Sequence, residues 1–233
     1  MLNFAGHKSQ HITYVDGLLL EQDCNDLVNQ CLKNYDKLFT HGPTMGGYDP
    51  TMKSSMDFNF SVDNCVALGV EPFVFSECYA KVQNALQSAM ALYLESYTDL
   101  HHSTGLYDSG FRLQHYAKNS GFYRRHHDGA PWDKEPVNRR VLAVIVYLNT
   151  VSKGGGTIFS EHGITVDAVA GRIAIFPATW THPHSGLVPI SNDKWIISTF
   201  IHCENPLKNE QTNGTEIKPR EVSEEELNGI LNV

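Results

Sequence analysis

His126 and Asp128 stand two residues apart in YRRHHD (123–128), and HPHSGLVPISNDKW (182–195) follows with two histidines and a lysine. Residues i and i+2 of a β-strand project from one face, so a His-x-Asp offers an imidazole and a carboxylate to a single metal ion. His182 and His184 would share a strand face. Either one, arriving on a separate strand, completes a two-imidazole, one-carboxylate set that caps one face of a divalent metal. Such a set suits Fe(II) and leaves the remaining coordination positions open, although the ligand types alone admit other divalent metals. His127 alternates to the opposite face and is not expected to ligate. His162 and His202 have no comparable surroundings and read as surface or strand-packing residues. Among 12 histidines, a His-x-Asp is also what a surface histidine beside a solvated aspartate looks like. What surrounds it has to decide.

The elements that must carry these residues change character midway along the chain. Cys24, Leu27, Val28, Cys31 and Leu32 recur at i, i+3, i+4, i+7 and i+8, which predicts an amphipathic helix over about 20–39. Residues 40–57 (HGPTMGGYDPTMKSSMDF) are rich in Gly, Pro and Ser and read as a loop. A second helix is expected from about 76 to 97, with Val82, Leu86, Ala89 and Tyr93 inward. After 105 the period shifts towards two and the composition turns β-branched and aromatic. FRLQHYA, VLAVIVYLN, TIFS, ITVDAV, RIAIFP and WIISTFIH read as short strands separated by Gly, Pro, Asn or Asp. Helices followed by about eight strands predict a mainly β protein, a double-stranded β-helix (the cupin-type jelly-roll) buttressed by two or more helices. A single domain is expected: an N-terminal support region over 1–105, the catalytic core over 106–203 and an acidic tail over 204–233. The two sheets of a jelly-roll converge at one mouth, so one strand can deliver His126 and Asp128 and a late strand the distal histidine.

Around the His-x-Asp the chain runs Tyr116, Gly121-Phe122-Tyr123, Arg140, Tyr147-Leu148-Asn149, Gly154-Gly155-Gly156-Thr157-Ile158-Phe159, Gly171 to Phe176, His184-Ser185-Gly186 and Lys194-Trp195. In order and spacing this resembles the prolyl 4-hydroxylase family of 2-oxoglutarate-dependent dioxygenases, over roughly 110–202. The resemblance implies metal ligands His126, Asp128 and His184, the last chosen over His182 because H-x-G and a lysine ten residues on follow it. It implies Fe(II) as the metal, with 2-oxoglutarate and O₂ as cosubstrates and ascorbate in support. 2-Oxoglutarate chelates the metal through its keto-acid end and pushes a second carboxylate into the barrel. That charge needs a cation, because a buried unpaired carboxylate costs several kcal/mol. By resemblance Lys194 is that cation and Tyr147 shares the carboxylate, while Ser198 could add a hydroxyl. Tyr116 is a further cosubstrate-side or supporting group. Arg140 is expected to fix structure, and the glycines at 154–156 to make a turn.

The implied activity hydroxylates a C–H bond while 2-oxoglutarate becomes succinate and CO₂. The implied substrate is a peptide or protein segment containing proline, hydroxylated at C4. Such a segment is already near polyproline II and can be bound at low entropic cost. Tyr123, Arg124 and Trp132 are the candidate substrate contacts, with 129–139 at the mouth. A 2-oxoglutarate oxygenase acting on a free amino acid or another small molecule is the alternative. A non-catalytic metal-binding jelly-roll is disfavoured, since it needs neither an open coordination face nor Lys194.

Composition is compatible with this. The 233 residues are 41% hydrophobic and 19% charged, ordinary for a globular chain. The net charge of −8 argues against an extensive nucleic-acid-binding surface, and half of it resides in residues 203–233. Five cysteines without a C-x-x-C suggest neither a disulfide framework nor a zinc site. No signal peptide and no membrane-length apolar stretch is visible, so a reduced, cytoplasmic protein is the expectation.

Overall fold

The computed structural model describes residues 3–7, 10–44, 46–102, 105–129 and 140–203. In chain order the elements are β1 (Asn3–His7), β2 (Ile12–Asp16), α1 (Glu21–Lys33), α2 (Tyr35–Leu38), β3 (Thr40–His41), β4 (Lys53–Ser54) and β5 (Met56–Phe60). Next come α3 (Val62–Ala67), α4 (Pro72–Ser96), a 3₁₀ turn (Thr98–His102), β6 (Leu106–Asp108), β7 (Phe111–Tyr116) and β8 (Phe122–His126). The chain then forms β9 (Arg140–Tyr147), β10 (Thr157–Phe159), β11 (Ile164–Val166), β12 (Ile173–Pro177), β13 (His184–Gly186) and β14 (Lys194–Cys203). The larger sheet runs β1-β2-β12-β9-β14-β7-β5-β3, with β6 also paired to β14. The smaller runs β11-β10-β13-β8-β4. Two facing antiparallel sheets with helices on the outer side of one make the expected double-stranded β-helix.

Strand alternation sorts the interior into two layers. On β14, Trp195, Ile197 and Ile201 join the core packed by the helices, while Ile196 and Phe200 face the space between the sheets. α4 supplies Val82, Leu86, Ala89 and Tyr93 to the first layer, all buried as their spacing implied. Cys24, Cys31, Cys65 and Cys78 are buried free thiols, acting as small hydrophobes. No helix among the described residues is long and apolar enough to cross a membrane.

Three expectations about the N-terminal region need correction. The helix over 20–39 is broken: α1 ends at Asn34, whose φ of −124° and ψ of 20° are not helical, and a separate single turn follows. Its buried stripe is narrower than the pattern suggested, since Leu32 is 54% exposed. Residues 40–57 are not simply a loop, because β3, β4 and the start of β5 lie there. In β5 (MDFNF) Phe58 and Phe60 are buried. β5 pairs with β7 along its whole length and β4 pairs with β8, so both sheets extend into the N-terminal region.

Candidate metal centre and its pocket

β8 and β13 bring the three candidate ligands together. His184 pairs with His126 and Gly186 with Tyr123, so Arg124 and Arg125 stand against the single residue Ser185. This is a β-bulge, and it re-aims the side chains around it. Tyr123 and His126, three residues apart, turn to the same side and their rings stack at 3.6 Å with an interplanar angle of 19°. β8 ends at His126, so Asp128 comes from the segment just beyond the strand rather than from the strand itself.

The donor atoms of His126, Asp128 and His184 all lie within 4.8 Å of one another. His126 Nε2 is 3.5 Å from Asp128 Oδ1, and His184 Nε2 is 3.5 Å from Asp128 Oδ2. Both imidazoles are oriented from behind. His126 Nδ1 lies 2.7 Å from the Arg124 carbonyl, and His184 Nδ1 lies 3.1 Å from the His182 carbonyl. A carbonyl only accepts, so in each neutral ring Nδ1 carries the proton and Nε2 turns its lone pair inward. Burial pulls His184 down to about 4, against the opposing pull of Asp128, which keeps this ring neutral. Burial tends to raise Asp128, but His184 and His126 outweigh it and hold the carboxyl below its usual range. Two imidazoles that turn Nε2 inward and one carboxylate, converging on one point, fit a single divalent metal of the Fe(II) type.

His182 does not compete. The strand begins only at His184, and His182 sits in the preceding turn, its amide donating to the Thr179 carbonyl at 3.0 Å. Both its nitrogens are occupied, by Thr181 Oγ1 at 2.9 Å and the Gln10 carbonyl at 2.7 Å, and its ring stacks on His162. The expectation that it shares a strand face with His184 is wrong because the extended backbone starts after Pro183. His127 is not part of the cluster of three donors, but it lines the pocket, so it is not turned to the opposite face as the strand alternation predicted.

The ligand cluster opens into a cavity of about 370 Å³ between the sheets. Lys194 stands at its floor, 2% exposed. No ion pair to Lys194 occurs among the described residues; its ammonium lies 5.2 Å and 5.6 Å from the ring centroids of Tyr116 and Tyr147. Burial pulls it down to about 7. A buried lysine without a carboxylate partner at the bottom of a pocket is chemically suited to an anion. Gly186 lies beside this group: a Cβ there would sit in ordinary contact, 3.8 Å from Lys194 Nζ and 3.4 Å from Tyr123 Cβ, so only a larger side chain would crowd the approach.

The other expected residues fall into different places. Tyr116 lines the pocket and donates to Gln114 Oε1 at 2.7 Å. Tyr147 is fully buried, and its hydroxyl is committed to Thr157 Oγ1 at 2.7 Å, so it supports the floor rather than offering a free phenol. Ser198 accepts from Gln114 Nε2 at 3.0 Å and stands two strand rungs above Lys194, towards the mouth. Tyr123 lines the pocket beside His126. Arg124 does not: it lies exposed on the outer side of β8, its Nε donating to the Thr51 carbonyl. Trp132 falls within 130–139, outside the described residues. Arg140 holds the Asp128 carbonyl at 3.1 Å and packs its guanidinium 3.7 Å over the Phe200 ring, which is a structural task.

Five residues at or beside the pocket were not singled out by the sequence. Lys53 and Asp57 form a buried pair at 2.7 Å, and Ser55 donates to the other Asp57 oxygen at 2.7 Å. Arg112 and Gln114 line the wall on β7. The alternation of Lys53, Ser55 and Asp57 was the available signal, masked because three polar residues at a period of two also describe an exposed loop. Gly42 is required beside them, since a Cβ would come within 2.2 Å of Ser55 Oγ.

The sequence model of the 2OG-Fe(II) oxygenase superfamily matches residues 111–202. Comparison with curated protein sequences gives no significant match. Among solved structures, the viral collagen prolyl hydroxylase of Paramecium Bursaria Chlorella virus-1, in its 2OG complex, superposes with a TM-score of 0.61 at 20% identity, covering 83% of this chain and 97% of that one. A Pseudomonas putida prolyl-4-hydroxylase gives 0.58 at 16% identity, covering 84% and 95%. A Trichoplax adhaerens prolyl hydroxylase in complex with a hypoxia inducible factor peptide fragment gives 0.60 at 15% identity, covering 84% of each. Residues 111–202 are thus similar to the 2OG-Fe(II) oxygenase superfamily, and the fold of the chain is that of the prolyl hydroxylases.

Proposed function

We propose that the protein is an Fe(II)- and 2-oxoglutarate-dependent dioxygenase that hydroxylates a prolyl residue, at C4, within a peptide or protein segment. The observation that carries the reading is the pairing of two sites in one pocket: the His126, Asp128 and His184 donors, and a buried Lys194 without a carboxylate partner. Bound there, Fe(II) with 2-oxoglutarate and O₂ supplies the oxidising power, yielding succinate, CO₂ and an alcohol. The protein's own residues do the placing. His126 and His184 present Nε2 because backbone carbonyls hold their Nδ1 protons. Lys194 receives the distal carboxylate of 2-oxoglutarate in a region where an unpaired charge is costly, which fixes the cosubstrate's direction. Tyr147, tied to Thr157, keeps the floor rigid, and Gly186 leaves the carboxylate its room. Tyr123 stacks on His126 and fixes that ligand while forming part of the pocket wall.

Two things support the prolyl substrate: the prolyl hydroxylase fold, with a peptide bound in one structural neighbour, and the recurrence of that family's motif spacing here. The test is mass spectrometry of proline-rich peptides and of cell lysate after incubation with protein, Fe(II), ascorbate and 2-oxoglutarate. The expected product is a peptide heavier by one oxygen atom at proline. Oxygen found only on other residues or on free metabolites would leave the oxygenase reading standing and remove the prolyl one.

A further inference from the structure

The pocket wall carries a second cation that the reading above does not use. Among the described lining residues Lys53, Arg112, Arg140 and Lys194 are cationic, and Asp128 is the one acid. Three of the cations have a task. Lys53 pairs with Asp57, Arg140 holds the Asp128 carbonyl and the Phe200 ring, and Lys194 waits at the floor. Arg112 is different. Its closest approach to Asp57 is 3.9 Å, beyond hydrogen-bond reach, and that carboxylate already takes Lys53 on one oxygen and Ser55 on the other. The Arg112 side chain is 40% exposed, so its guanidinium is open to a ligand.

Sheet register shows where it points. Lys194 pairs with Tyr116 across β14 and β7, and four residues on Ser198 pairs with Arg112, which pairs in turn with Asn59 of β5. Residues of the same parity share a face, so Ser198, Arg112 and Asn59 form a polar row on the pocket side, parallel to the Lys194–Tyr116 row. All three line the cavity. Four residues of strand separate the rows by about 13 Å. One wall therefore carries two anion-seeking groups, one at the floor and one towards the mouth. Charge balance agrees. A divalent metal, the Asp128 carboxylate, dianionic 2-oxoglutarate and Lys194 sum to zero, and Lys53 with Asp57 sums to zero. Among the described residues Arg140 and Arg112 are left over; Arg140 is engaged with the Asp128 carbonyl and the Phe200 ring, whereas Arg112 has a hydroxyl and an amide beside it.

We propose that the Ser198–Arg112–Asn59 row is a carboxylate-binding subsite, so that the substrate carries an acidic group close to the reacting carbon. This deepens the reading of the pocket as a 2-oxoglutarate oxygenase site and rests on it. The planar guanidinium takes a carboxylate through two parallel N–H donors, a geometry that selects for the anion rather than for an amide of the same shape. The carboxylate comes from one of two sources: an Asp or Glu side chain neighbouring the target residue, or the α-carboxylate of a chain end or free amino acid.

The test is isothermal titration of the protein, loaded with Fe(II) and 2-oxoglutarate under nitrogen, with matched proline-containing probes. One pair differs by Glu against Gln beside the proline, with both ends capped. A second pair differs by a free against an amidated C-terminus, and free proline against prolinamide forms the third. Wild type should bind the anionic member of at least one pair ten-fold or more tighter, and the pair that does so identifies the source. Arg112→Gln should erase that preference without changing the affinity for the neutral member, and Arg112→Lys should restore part of it. Arg112→Glu should favour a Lys-bearing probe. Equal binding of both members in every pair by wild type, or a preference that survives in Arg112→Gln, would overturn the subsite. The oxygenase reading fails separately, if wild type forms no succinate from 2-oxoglutarate.

Discussion

Removing the Lys194 charge should change 2-oxoglutarate affinity, its pH dependence and the stability of the ligand-free protein, each in a predictable direction. The ammonium is 2% exposed, and burial pulls it from the usual 10.5 to about 7. Only the charged form can pair with the distal carboxylate, so binding takes up a proton above pH 7. The dissociation constant should therefore rise by up to ten-fold per pH unit above neutrality. Lys194→Met removes the partner of a buried anion, a loss of about 3–5 kcal/mol, or on the order of 10²–10⁴-fold weaker binding. The variant should also show a flatter pH dependence. In the ligand-free protein the sign reverses. Lys194 has a depressed folded pKa, so between about pH 7 and 10.5 the unfolded chain binds the extra proton and stability rises with pH. That rise amounts to roughly 5 kcal/mol across the window, and Lys194→Met should abolish it and be the more stable protein at neutral pH. Titration calorimetry of 2-oxoglutarate at several pH values, with urea unfolding of both proteins, reads all three effects. An unchanged affinity in Lys194→Met, or parallel pH slopes in the two proteins, would refute the placement of this charge at the cosubstrate's end.

Other substitutions separate the remaining roles. His126→Ala, Asp128→Ala and His184→Ala should each lose Fe(II) in equilibrium dialysis. His182→Ala should retain it but unfold more readily, by about 1 kcal/mol, because it leaves the half-buried Gln10 carbonyl without this partner. Iron binding lost in His182→Ala and kept in His184→Ala would reverse that assignment. Gly186→Val should raise the 2-oxoglutarate KM with iron binding intact, since its methyls would extend from a Cβ already 3.8 Å from Lys194 Nζ; Gly186→Ala should be nearly silent. Asp57→Asn strands the buried Lys53 charge and should cost about 3–5 kcal/mol in denaturant unfolding, which Lys53→Met in the same chain should largely restore.

Much of the site was legible because its chemistry is concentrated in short runs. His126 and Asp128 sit two apart, and the H-x-G-to-lysine interval singles out His184 and Lys194. The fold class followed from the shift to a period of two after residue 105. What remained hidden depended on backbone detail with no local signature. The bulge opposite Ser185, which turns Tyr123 towards His126, and Arg124 outward onto Thr51, is a register event between β8 and β13. Tyr147 matches its motif, but its hydroxyl is committed by Thr157, ten residues on. The Lys53–Asp57 pair was lost to a segment whose Gly, Pro and Ser content resembles a loop, although those polar residues are buried. Arg112 is unremarkable in FRLQHYA until β5, β7 and β14 align Asn59, Arg112 and Ser198 in a row.

The most direct test of the account is succinate formation. Purified protein with Fe(II), ascorbate, O₂ and 2-oxoglutarate should produce succinate. Adding a hydroxylated substrate should raise the rate, with one succinate formed per oxygen atom inserted. His184→Ala and Asp128→Ala, incubated identically, should produce neither succinate nor hydroxylated product. Succinate formation equal in wild type and in both variants, or absent from wild type under every condition, would contradict the assignment of this pocket.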